Sequence, residues 1–484
     1  MEKRILIAGG GISGLSAAFY LNKWCQSRDI PVNIILAEKS KALGGKIRTT
    51  RQEGYVIEQG PDSFLGRKLP IIRLIHELGM EGELVGTDPA AKSNYILHDG
   101  KLEKMPKGLS YGIPTEVGPF VSTGLISLKG KVRAAADLFL PRKPGAGDEA
   151  LGSFISRRLG SEVLDRLVEP LLAGIYAGDT ESLSLLSTFP QFSEMEQKHR
   201  SLILGMLAQK KASRKTRPAA PLPFELPPIA QKSFFLSLRG GLSSLVERLE
   251  QELTSSGVQI LKGCGVQEMV RQGHGNDYRI TLENGQTLAA DGAILALPAY
   301  ESYKLLGEMP EAEGLEKTPY VTVANVVLGF RKDDLDADLS GSGFVVPRSE
   351  GRFITASTWV SSKWPHSAPQ DKVLLRGYIG RLGAEAPVEW SDSRLAEGFR
   401  KELKSIMGID AQPEFALATR WKNSMPQYTV GHLERVRRLR TALEKRYPRL
   451  LVCGSAYEGV GIPDCIGQGE EAARRLAASL DQQK

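Results

Sequence analysis

The sequence is poor in the residues that build metal centres and disulfide scaffolds. Six histidines and four cysteines are spread over 484 residues. The cysteines form no Cys-x-x-Cys pair and no regular spacing: they are Cys25, Cys264, Cys453 and Cys465. We therefore predict four free thiols, most of them buried, and neither a metal site nor a disulfide framework. The scattered histidines also argue against a histidine-based catalytic triad.

Long hydrophobic runs and targeting signals are absent as well. No stretch of about eighteen apolar residues occurs. The N-terminal residues MEKRILIAGGG lead directly into a strand pattern, without the apolar core and cleavage site of a signal peptide. These absences predict a cytoplasmic protein without a transmembrane helix.

Basic residues exceed acidic residues by a small margin. Lys and Arg number 63 against 56 Asp and Glu, which gives a net charge of +7. No basic run is interleaved with aromatic residues, so a nucleic-acid partner is not expected. The mild basic excess fits either a solvated surface or an anionic partner, such as a carboxylated substrate or a membrane surface.

A glycine-rich turn near the N-terminus is the first positive sign of function. Residues 4–21 read RILIAGGGISGLSAAFYL, which predicts a strand, a turn and a helix, with Gly9, Gly11 and Gly14 in a G-x-G-x-x-G pattern. The first glycine allows the sharp bend, the second lets backbone approach a pyrophosphate, and the third lets the helix pack on the strand. The next predicted strand, VNIILAEKS, reaches Glu38, whose carboxylate can bind ribose hydroxyls. A dinucleotide site is therefore predicted, with FAD and NAD both open at this point.

The residues after Glu38 favour FAD. The run KALGGKIRT, residues 41–49, contains Gly44-Gly45 followed by Lys46. This extension resembles that of flavoproteins of the amine oxidase superfamily, in which it lies over the pyrophosphate and leads into the flavin site. NAD-binding domains do not usually carry it.

A second turn, Gly60-Pro61-Asp62-Ser63, follows within twenty residues of that extension. We expect it to lead into a helix that Asp62 or Ser63 caps. In the resembling flavoproteins this turn passes along the isoalloxazine ring.

A strand-to-helix pattern rich in glycine also closes the chain. Residues 454–471 read GSAYEGVGIPDCIGQGEE and follow the apolar run LLVC. The small residues leave room for a large flat ring, and the helix N-terminus near Ile462 can point at flavin or pyrophosphate oxygens.

Changes of pattern along the chain indicate several domains in an α/β fold. Helical periodicity prevails from about 105 to 205, a Pro-rich basic stretch follows, and alternating runs such as VTVANVVLGF prevail from 300 to 410. We predict a discontinuous Rossmann-like FAD-binding domain, a substrate domain built on a mixed or antiparallel sheet, and a helical insertion. The predicted division is 1–70, 232–300 and 411–484 for the FAD-binding domain, 71–104 and 301–410 for the substrate-binding domain, 105–209 for the helical insertion that lines the substrate cavity, and 210–231 for a mobile loop.

Over essentially its whole length the sequence resembles bacterial porphyrinogen oxidases of the type found in Gram-positive haem synthesis. The resemblance is carried by IAGGGISGLSAAFYL, LGGKIRT, GPDSFL, EPLLAGIYAGD, LSTFPQF, EQKHRSLILGM, RWKNSMPQY and GSAYEGVGIPDCIGQG. It implies non-covalent FAD and the removal of six electrons from a porphyrinogen, with three O2 reduced to three H2O2. Coproporphyrinogen III is the implied substrate, and protoporphyrinogen IX is the alternative.

The resemblance also implies the residues of the site. The FAD contacts of the family fall on Gly9, Gly10, Gly11, Ile12, Ser13, Gly14, Glu38, Lys39, Lys46, Gly60, Pro61, Asp62, Ser63, Val266, Trp421, Val460, Gly461 and Ile462. For the substrate we predict Arg67 and Lys68 as carboxylate ligands, and Ile175 and Tyr176 as an apolar and aromatic wall. No side chain is predicted to be catalytic, because flavin N5 is the hydride acceptor and a pyrrole N–H gives up its own proton.

Three other interpretations stay open from the sequence. A flavin amine oxidase or a carotenoid desaturase shares the two glycine-rich ends, but the runs MPQY and YEGVGIPDC argue against both. A non-catalytic flavin or porphyrin-binding protein is the third. For an oxidase, transient contact with a haem-synthesis chelatase is conceivable, and any membrane contact is expected to be peripheral, through the helical insertion.

Overall fold

The computed structural model describes residues 2–110, 112–145, 147–213, 224–272, 277–307 and 309–481. The described residues form the strands β1 (Lys3–Ala8), β2 (Val32–Glu38), β3 (Thr49–Gln52), β4 (Tyr55–Glu58), β5 (Phe64–Leu65), β6 (Leu84–Gly86), β7 (Asn94–His98), β8 (Lys101–Lys104), β9 (Leu109–Ser110), β10 (Ile113–Pro114), β11 (Phe235–Leu238), β12 (Gln259–Lys262), β13 (Val266–Gln272), β14 (Asp277–Leu282), β15 (Thr287–Ala290), β16 (Gly292–Leu295), β17 (Tyr320–Arg331), β18 (Gly343–Val345), β19 (Ala356–Trp359), β20 (Lys372–Ile379), β21 (Phe415–Pro426) and β22 (Leu450–Val452).

The helices of the same residues are α1 (Ile12–Ser27), α2 (Leu69–Glu77), α3 (Val117–Ser122), α4 (Leu128–Ala135), α5 (Leu151–Leu159), α6 (Ser161–Val163), α7 (Glu169–Tyr176), α8 (Leu185–Thr188), α9 (Pro190–His199), α10 (Leu202–Ser213), α11 (Pro228–Lys232), α12 (Ser243–Ser255), α13 (Ala299–Leu306), α14 (Glu313–Glu316), α15 (Val360–Lys363), α16 (Asp392–Met407), α17 (His432–Arg446) and α18 (Ile462–Asp481). A π-helical turn (Leu164–Val168) joins α6 to α7.

A parallel sheet brings together segments from the two ends and the middle of the chain. Its five strands run in the order β12-β2-β1-β16-β22, and every neighbouring pair is parallel. Alternate residues of β1 enter different cores, because Ile5 and Ile7 pack with α1, α12 and α18 while Leu6 packs with β14 and α17. A sheet covered on both faces needs such continuous apolar strands. All carboxyl ends therefore lie along one edge.

A second sheet of seven strands, in the order β21-β17-β20-β19-β18-β7-β8, is antiparallel except where β18 pairs with β7. Its long strands β17, β20 and β21 correspond to the alternating runs of the sequence. Helix α16 packs on one face, where Leu395, Phe399 and Leu403 contribute to the core.

The helical region α3 to α10 has its own core, which contains Phe154, Leu167 and Phe192. The run LGSFISRRLGSEVLDRLVEPLLAGIYAGD, residues 151–179, has the periodicity of an amphipathic helix, but this helix is interrupted in the structure. Gly160, at φ +94°, ends α5, and the chain continues through α6, the π-helical turn and α7. Glycine reaches this conformation without the steric cost of a Cβ atom.

These observations confirm the predicted fold class, a mixed α/β fold with a parallel and a largely antiparallel sheet. The domain boundaries remain a proposal, and the structure suggests two changes to them. Strand β21 pairs with β17, which favours a boundary after Pro426 rather than at residue 411. Helix α2 packs with α1 and α18 in the core of the parallel sheet, which favours counting it with the FAD-binding domain.

The predicted mobile loop 210–231 is covered only in part. Residues 214–223 lie outside the described residues. The flanking segments are helical, because α10 extends to Ser213 and α11 begins at Pro228.

Two findings bear on the absences in the sequence. Among the described residues, none of the helices combines the length and the apolar character that a membrane span needs. All four cysteines are unpaired and buried, as predicted.

A fully buried ion pair stabilises the helical region. Arg158 donates through Nε to Asp137 Oδ1 at 2.5 Å and through Nη2 to the carbonyl oxygen of Arg200 at 2.6 Å. Asp137 Oδ2 accepts from the Ser201 hydroxyl at 2.5 Å and from the backbone N–H of Ile203 at 3.0 Å. Removing Asp137 leaves the buried guanidinium with Glu196, 3.4 Å from Nη1, as its remaining acidic partner. Loss of one partner from a buried ion pair costs about 3–5 kcal/mol.

We therefore expect Asp137→Ala to destabilise the helical region by about 3–5 kcal/mol. Hydrogen exchange measured by mass spectrometry should show faster exchange in α4 to α10 and little change in the parallel sheet. The matched control is Lys143→Ala, which removes the half-exposed ion pair with Glu149 and should cost at most about 1 kcal/mol. Equal exchange in the two variants would contradict the assigned role of Asp137.

Candidate functional site

The N-terminal turn between β1 and α1 has the close packing that its glycines predict. A Cβ atom on Gly14 would lie 1.9 Å from the carbonyl oxygen of Gly9, so only glycine lets α1 pack on its own turn. A Cβ atom on Gly11 would meet no atom within 4 Å. Gly11 is the N-cap of α1, and no side chain caps this helix end. The turn therefore presents open space and a helix N-terminus, the arrangement that binds a diphosphate.

Glu38 ends β2 beside this turn. Its carboxylate accepts hydrogen bonds from the backbone N–H of Gly10 at 2.6 Å and of Ser40 at 2.7 Å. These bonds anchor the carboxylate at the carboxyl edge of the sheet and leave further lone pairs for ribose hydroxyls.

The two predicted neighbours of Glu38 lie at the same edge. Val266 begins β13 just after Cys264, whose N–H donates to the carbonyl oxygen of Glu38 at 2.8 Å. The side chain of Lys39 instead pairs with Glu283 at 2.9 Å on the surface.

The Gly44-Gly45 segment packs directly on the first turn. The N–H of Gly44 donates to the carbonyl oxygen of Gly10 at 2.8 Å, and Gly44 forms a parallel bridge with Gly11. The following Lys46 points inward: its Nζ donates to the carbonyl oxygen of Ser424 and lies 3.4 Å from Ser455 Oγ. Burial lowers the pKa of Lys46. None of the ion pairs formed within the described ranges involves Lys46, so its ammonium has room to pair with a bound anion such as a diphosphate.

The Gly60–Ser63 turn lies against Lys46 and Trp421. A Cβ atom on Gly60 would be 1.8 Å from the carbonyl oxygen of Lys46 and 3.6 Å from the Trp421 ring. Trp421 Nε1 donates to the carbonyl oxygen of Gln59 at 2.7 Å. Three predicted cofactor contacts from distant parts of the sequence are thus neighbours.

The expected helix cap at Asp62 or Ser63 is wrong. The chain forms strand β5 after the turn, and α2 begins only at Leu69, with Lys68 as its N-cap and no side-chain cap. Asp62 instead pairs with Lys363 at 3.3 Å and accepts from the Ser63 hydroxyl at 2.7 Å. Burial raises the pKa of Asp62, but the charges of Lys363 and Arg376 outweigh this effect and lower the pKa to about 2. This acid is occupied by tertiary contacts and is not available to a helix.

The C-terminal turn meets the N-terminal one. A Cβ atom on Gly469 of α18 would lie 2.4 Å from the carbonyl oxygen of Ser13, which explains the glycine at this helix crossing. Val460 packs against the core of the helical region, and Ile462 begins α18. Val460, Gly461 and Ile462 therefore lie between the nucleotide turn and the helical region.

The predicted substrate residues are less uniformly placed. Lys68 pairs with Asp464, in the first turn of α18, at 2.7 Å. The Arg67 guanidinium lies 5.3 Å from the centre of the Phe234 ring. Ile175 is 40% exposed, whereas Tyr176 is buried and makes edge contacts with Phe189 and Tyr428. Ile175 and the Lys68 side chain are exposed in part, whereas Tyr176 is buried.

Asn325, Arg376 and Asp464 were not singled out from the sequence. Asn325 and Arg376 both donate to the backbone beside the Gly60–Ser63 turn, and both are 3% exposed. For Asn325 and Arg376, the signal available in the sequence was a polar residue inside an otherwise apolar strand. Strand propensity alone treats such a residue as an exception.

One group of side chains could in principle bind a metal. His98, Asp99 and Glu350 bring one potential ligand atom each within 4.8 Å of the others. Glu350 already accepts from the backbone N–H of Asp99 at 2.9 Å and of Gly100 at 3.2 Å. Glu350 therefore stabilises the turn between β7 and β8, which explains why these three side chains lie close together.

Glu58, an acid two residues before the Gly60–Ser63 turn, gives a pH-dependent prediction. Glu58 accepts from the Leu242 N–H at 2.6 Å and from the Thr49 hydroxyl at 2.9 Å, and lines a small cavity with Asp62 and Arg376. Burial raises the pKa of Glu58 to about 7, against the lowering effect of the two hydrogen bonds.

The unfolded chain therefore releases the Glu58 proton at lower pH than the folded chain. This group favours the folded state below about pH 4.5, and its contribution is lost as pH rises to about 7. We expect Glu58→Gln to gain about 1–3 kcal/mol over the unmodified protein between pH 5 and pH 8, measured by urea unfolding. Glu268→Gln, at an exposed position, is the control; a gain independent of pH would refute the assignment.

Known proteins resemble this chain over nearly its whole length. The family model for flavin containing amine oxidoreductase matches residues 12–477. A coproporphyrinogen III oxidase of Bacillus subtilis is 45% identical over 97% of this chain and 97% of its own. One of Staphylococcus aureus is 39% identical over 99% of this chain and 100% of its own. A solved structure from an Exiguobacterium species has a TM-score of 0.84 and 34% identity, and covers 99% of both chains.

The donor set of the site fits the cofactor of this family. The open position at Gly11, the uncapped end of α1 and the buried Lys46 suit a diphosphate, and Glu38 suits a ribose. The cofactor is FAD. The chain belongs to the flavin-containing amine oxidoreductases and, within them, to the coproporphyrinogen III oxidase family.

Proposed function

We propose that this chain oxidises coproporphyrinogen III to coproporphyrin III, with the loss of six hydrogen atoms in three two-electron steps and the reduction of three O2 to three H2O2. The observation that carries the proposal is the convergence of the two glycine-rich turns, Lys46 and the Gly60–Ser63 turn beside the helical region. The bacterial relatives are coproporphyrinogen III oxidases, which supports this choice of substrate.

The proposed contribution of the chain is binding and orientation. When bound, FAD accepts hydride from the substrate and passes the electrons to O2. Lys46 neutralises the diphosphate, and Glu38 binds the ribose. Ile175 provides an apolar surface against which a flat macrocycle can lie, and Lys68 attracts a carboxylate. We assign no side chain as acid or base, because the pyrrole nitrogens of the substrate carry the protons that leave.

We also propose a cytoplasmic location, with O2 as the electron acceptor and at most transient contact with a chelatase that consumes the porphyrin. Several apolar residues of the helical region are exposed: Val117, Val121, Leu128, Val132 and Phe139. They support peripheral contact with a membrane or a partner protein.

The cofactor contact is tested by Gly11→Val. The φ of Gly11 is −73°, and its Cβ direction is open, so valine fits the folded backbone but occupies the space proposed for the diphosphate. We expect the Kd of the apoprotein for FAD to rise about 10- to 100-fold, equivalent to about 1–3 kcal/mol of steric cost. The melting temperature of the apoprotein should stay unchanged.

Gly14→Ala is the matched control for this variant. Its Cβ atom would meet the Gly9 carbonyl, so it should lower the melting temperature of the apoprotein as well. A Gly11→Val protein with normal FAD affinity would show that the first turn does not hold the diphosphate.

Substrate preference is tested with the two porphyrinogens. Coproporphyrinogen III carries four propionates and protoporphyrinogen IX two, so we expect a higher kcat/KM for the former in detergent-free buffer. Lys68→Ala also leaves the Asp464 carboxylate without its partner, which should repel a propionate. We expect it to reduce this preference about two- to fivefold, in keeping with a half-exposed charge, and the preference should fall with added salt.

The control is Lys317→Ala, which removes a more exposed ion pair, with Glu313, from a different part of the chain. An equal loss on both porphyrinogens in Lys68→Ala would exclude the charge argument. Anaerobic mixing with coproporphyrinogen III should bleach the flavin. If the yellow colour of oxidised flavin persists, the protein is not an oxidase of this substrate and only a binding role is left.

A further inference from the structure

The carbonyl groups of two consecutive residues at the start of the Gly60–Ser63 turn accept hydrogen bonds from side chains of the second sheet. The carbonyl oxygen of Gln59 accepts from Asn325 Nδ2 and from Trp421 Nε1, both at 2.7 Å. The carbonyl oxygen of Gly60 accepts from Arg376 Nη2 at 2.5 Å. The turn is thus tied to side chains that are more than 260 residues away in the sequence.

The strand register explains why these three donors act together. Val323 is opposite Trp421, Asn325 is opposite Tyr378, and Val327 is opposite Arg376. Residues two apart on one strand, and residues directly opposite on neighbouring strands, share a face of the sheet. Asn325, Arg376 and Trp421 therefore project from the same face of β17, β20 and β21 towards the turn.

Sheet stability does not account for these polar side chains. Asn325 and Arg376 are each 3% exposed, and the residues before and after them in their strands are apolar residues or glycine. The Asn325 Oδ1 and Arg376 Nε atoms have no hydrogen-bond partner. Burying a polar group costs free energy unless it is hydrogen-bonded, so apolar residues would serve the sheet alone better.

The bonds also define the direction of the backbone. In a trans peptide the C=O and N–H groups point in opposite directions. With the Gln59 carbonyl held towards the sheet by two donors, the Gly60 N–H is directed away from it. Pro61 has no N–H and a restricted φ, so the Gly60 orientation depends on these contacts.

The charge of Arg376 is balanced within the same group. Arg376 and Lys363 together lower the pKa of Asp62, which burial raises, and Glu58 lies on the same cavity. The guanidinium is therefore committed to the turn and is not a free cation for a substrate carboxylate.

We propose that Asn325 and Arg376 are positioning residues of the oxidase, which hold the Gly60–Ser63 turn in the orientation that contacts the flavin. This inference rests on the proposed function and on the predicted flavin contact of that turn. Loosening the turn should change the environment of the flavin ring while leaving the adenosine half of the site, at Gly11 and Glu38, intact.

The experiment compares Asn325→Leu and Arg376→Met as holoenzymes. Both remove the donor: leucine keeps the branched shape of asparagine, and methionine keeps an unbranched stem like that of arginine. We expect each to shift the visible flavin absorbance and the flavin reduction potential, and to slow anaerobic flavin reduction by coproporphyrinogen III about ten- to a hundredfold, as expected from loss of orientation. The Kd for FAD should change much less, about threefold or under, because the diphosphate and ribose contacts remain.

Arg420→Met is the matched control. Arg420 lies on β21, next to Trp421, and donates to the backbone carbonyls of Val388 and Trp390, away from the turn. It should lower the melting temperature without moving the flavin absorbance or potential. The proposal is overturned if Asn325→Leu and Arg376→Met behave like this control.

Milder variants cover the case in which the first two do not fold. Arg376→Lys retains a charged donor and should restore part of the absorbance and potential, and Asn325→Ser should give an intermediate shift. Unchanged spectra in both would also overturn the proposal. Absorbance and potential are measured without porphyrinogen, so failure of the substrate assignment, seen as no reduction in the unmodified protein, is distinguished from failure of this inference.

Discussion

The close approach of backbone to backbone at the carboxyl edge of the parallel sheet is the constraint on which the rest of the structure depends. Helix α1 packs on its own turn at Gly14, the Gly44 segment bonds to Gly10, and α18 crosses α1 at Gly469. A side chain at Gly14 or Gly469 would separate elements that lie in direct contact. Segments from both ends of the chain can therefore share one small volume, with an uncapped helix end in its centre.

Electrostatics distinguish two parts of the site that both contain buried cations. Around the Gly60–Ser63 turn, Arg376 and Lys363 face Asp62, and the charges compensate one another. Around the nucleotide turn, the partners of Lys46 among the described residues are carbonyl and hydroxyl oxygens and no carboxylate. Burying an ammonium even in part without an acidic partner is costly, so a bound anion there would add to stability. The network at the turn has no such deficit and is suited to holding backbone in place.

The helical region is connected to the flavin side through the segment that precedes α17. Gln427 donates to the carbonyl oxygen of Tyr176 at 2.8 Å, and Asp148 accepts from the N–H of Gly431 at 2.7 Å. The N–H of Ser184 donates to the carbonyl oxygen of Tyr428 at 2.7 Å. Tyr428 also donates to the carbonyl oxygen of Ser455. These hydrogen bonds therefore connect helix α7, which carries Ile175, to the C-terminal turn.

The sequence by itself determined the elements whose signals are local. The G-x-G-x-x-G turn, the strand ending at Glu38 and the glycine-rich end are short patterns in which spacing dictates backbone geometry, and the fold class followed from them. Only the tertiary structure decided which polar side chains meet: Asp62 binds Lys363 and caps no helix, Lys68 meets Asp464, and Asn325 and Arg376 reach the turn. These pairs join residues some 270 to 400 positions apart, so local periodicity does not specify them. The packing of helices and loops sets the first two, and strand register sets the contacts of Asn325 and Arg376.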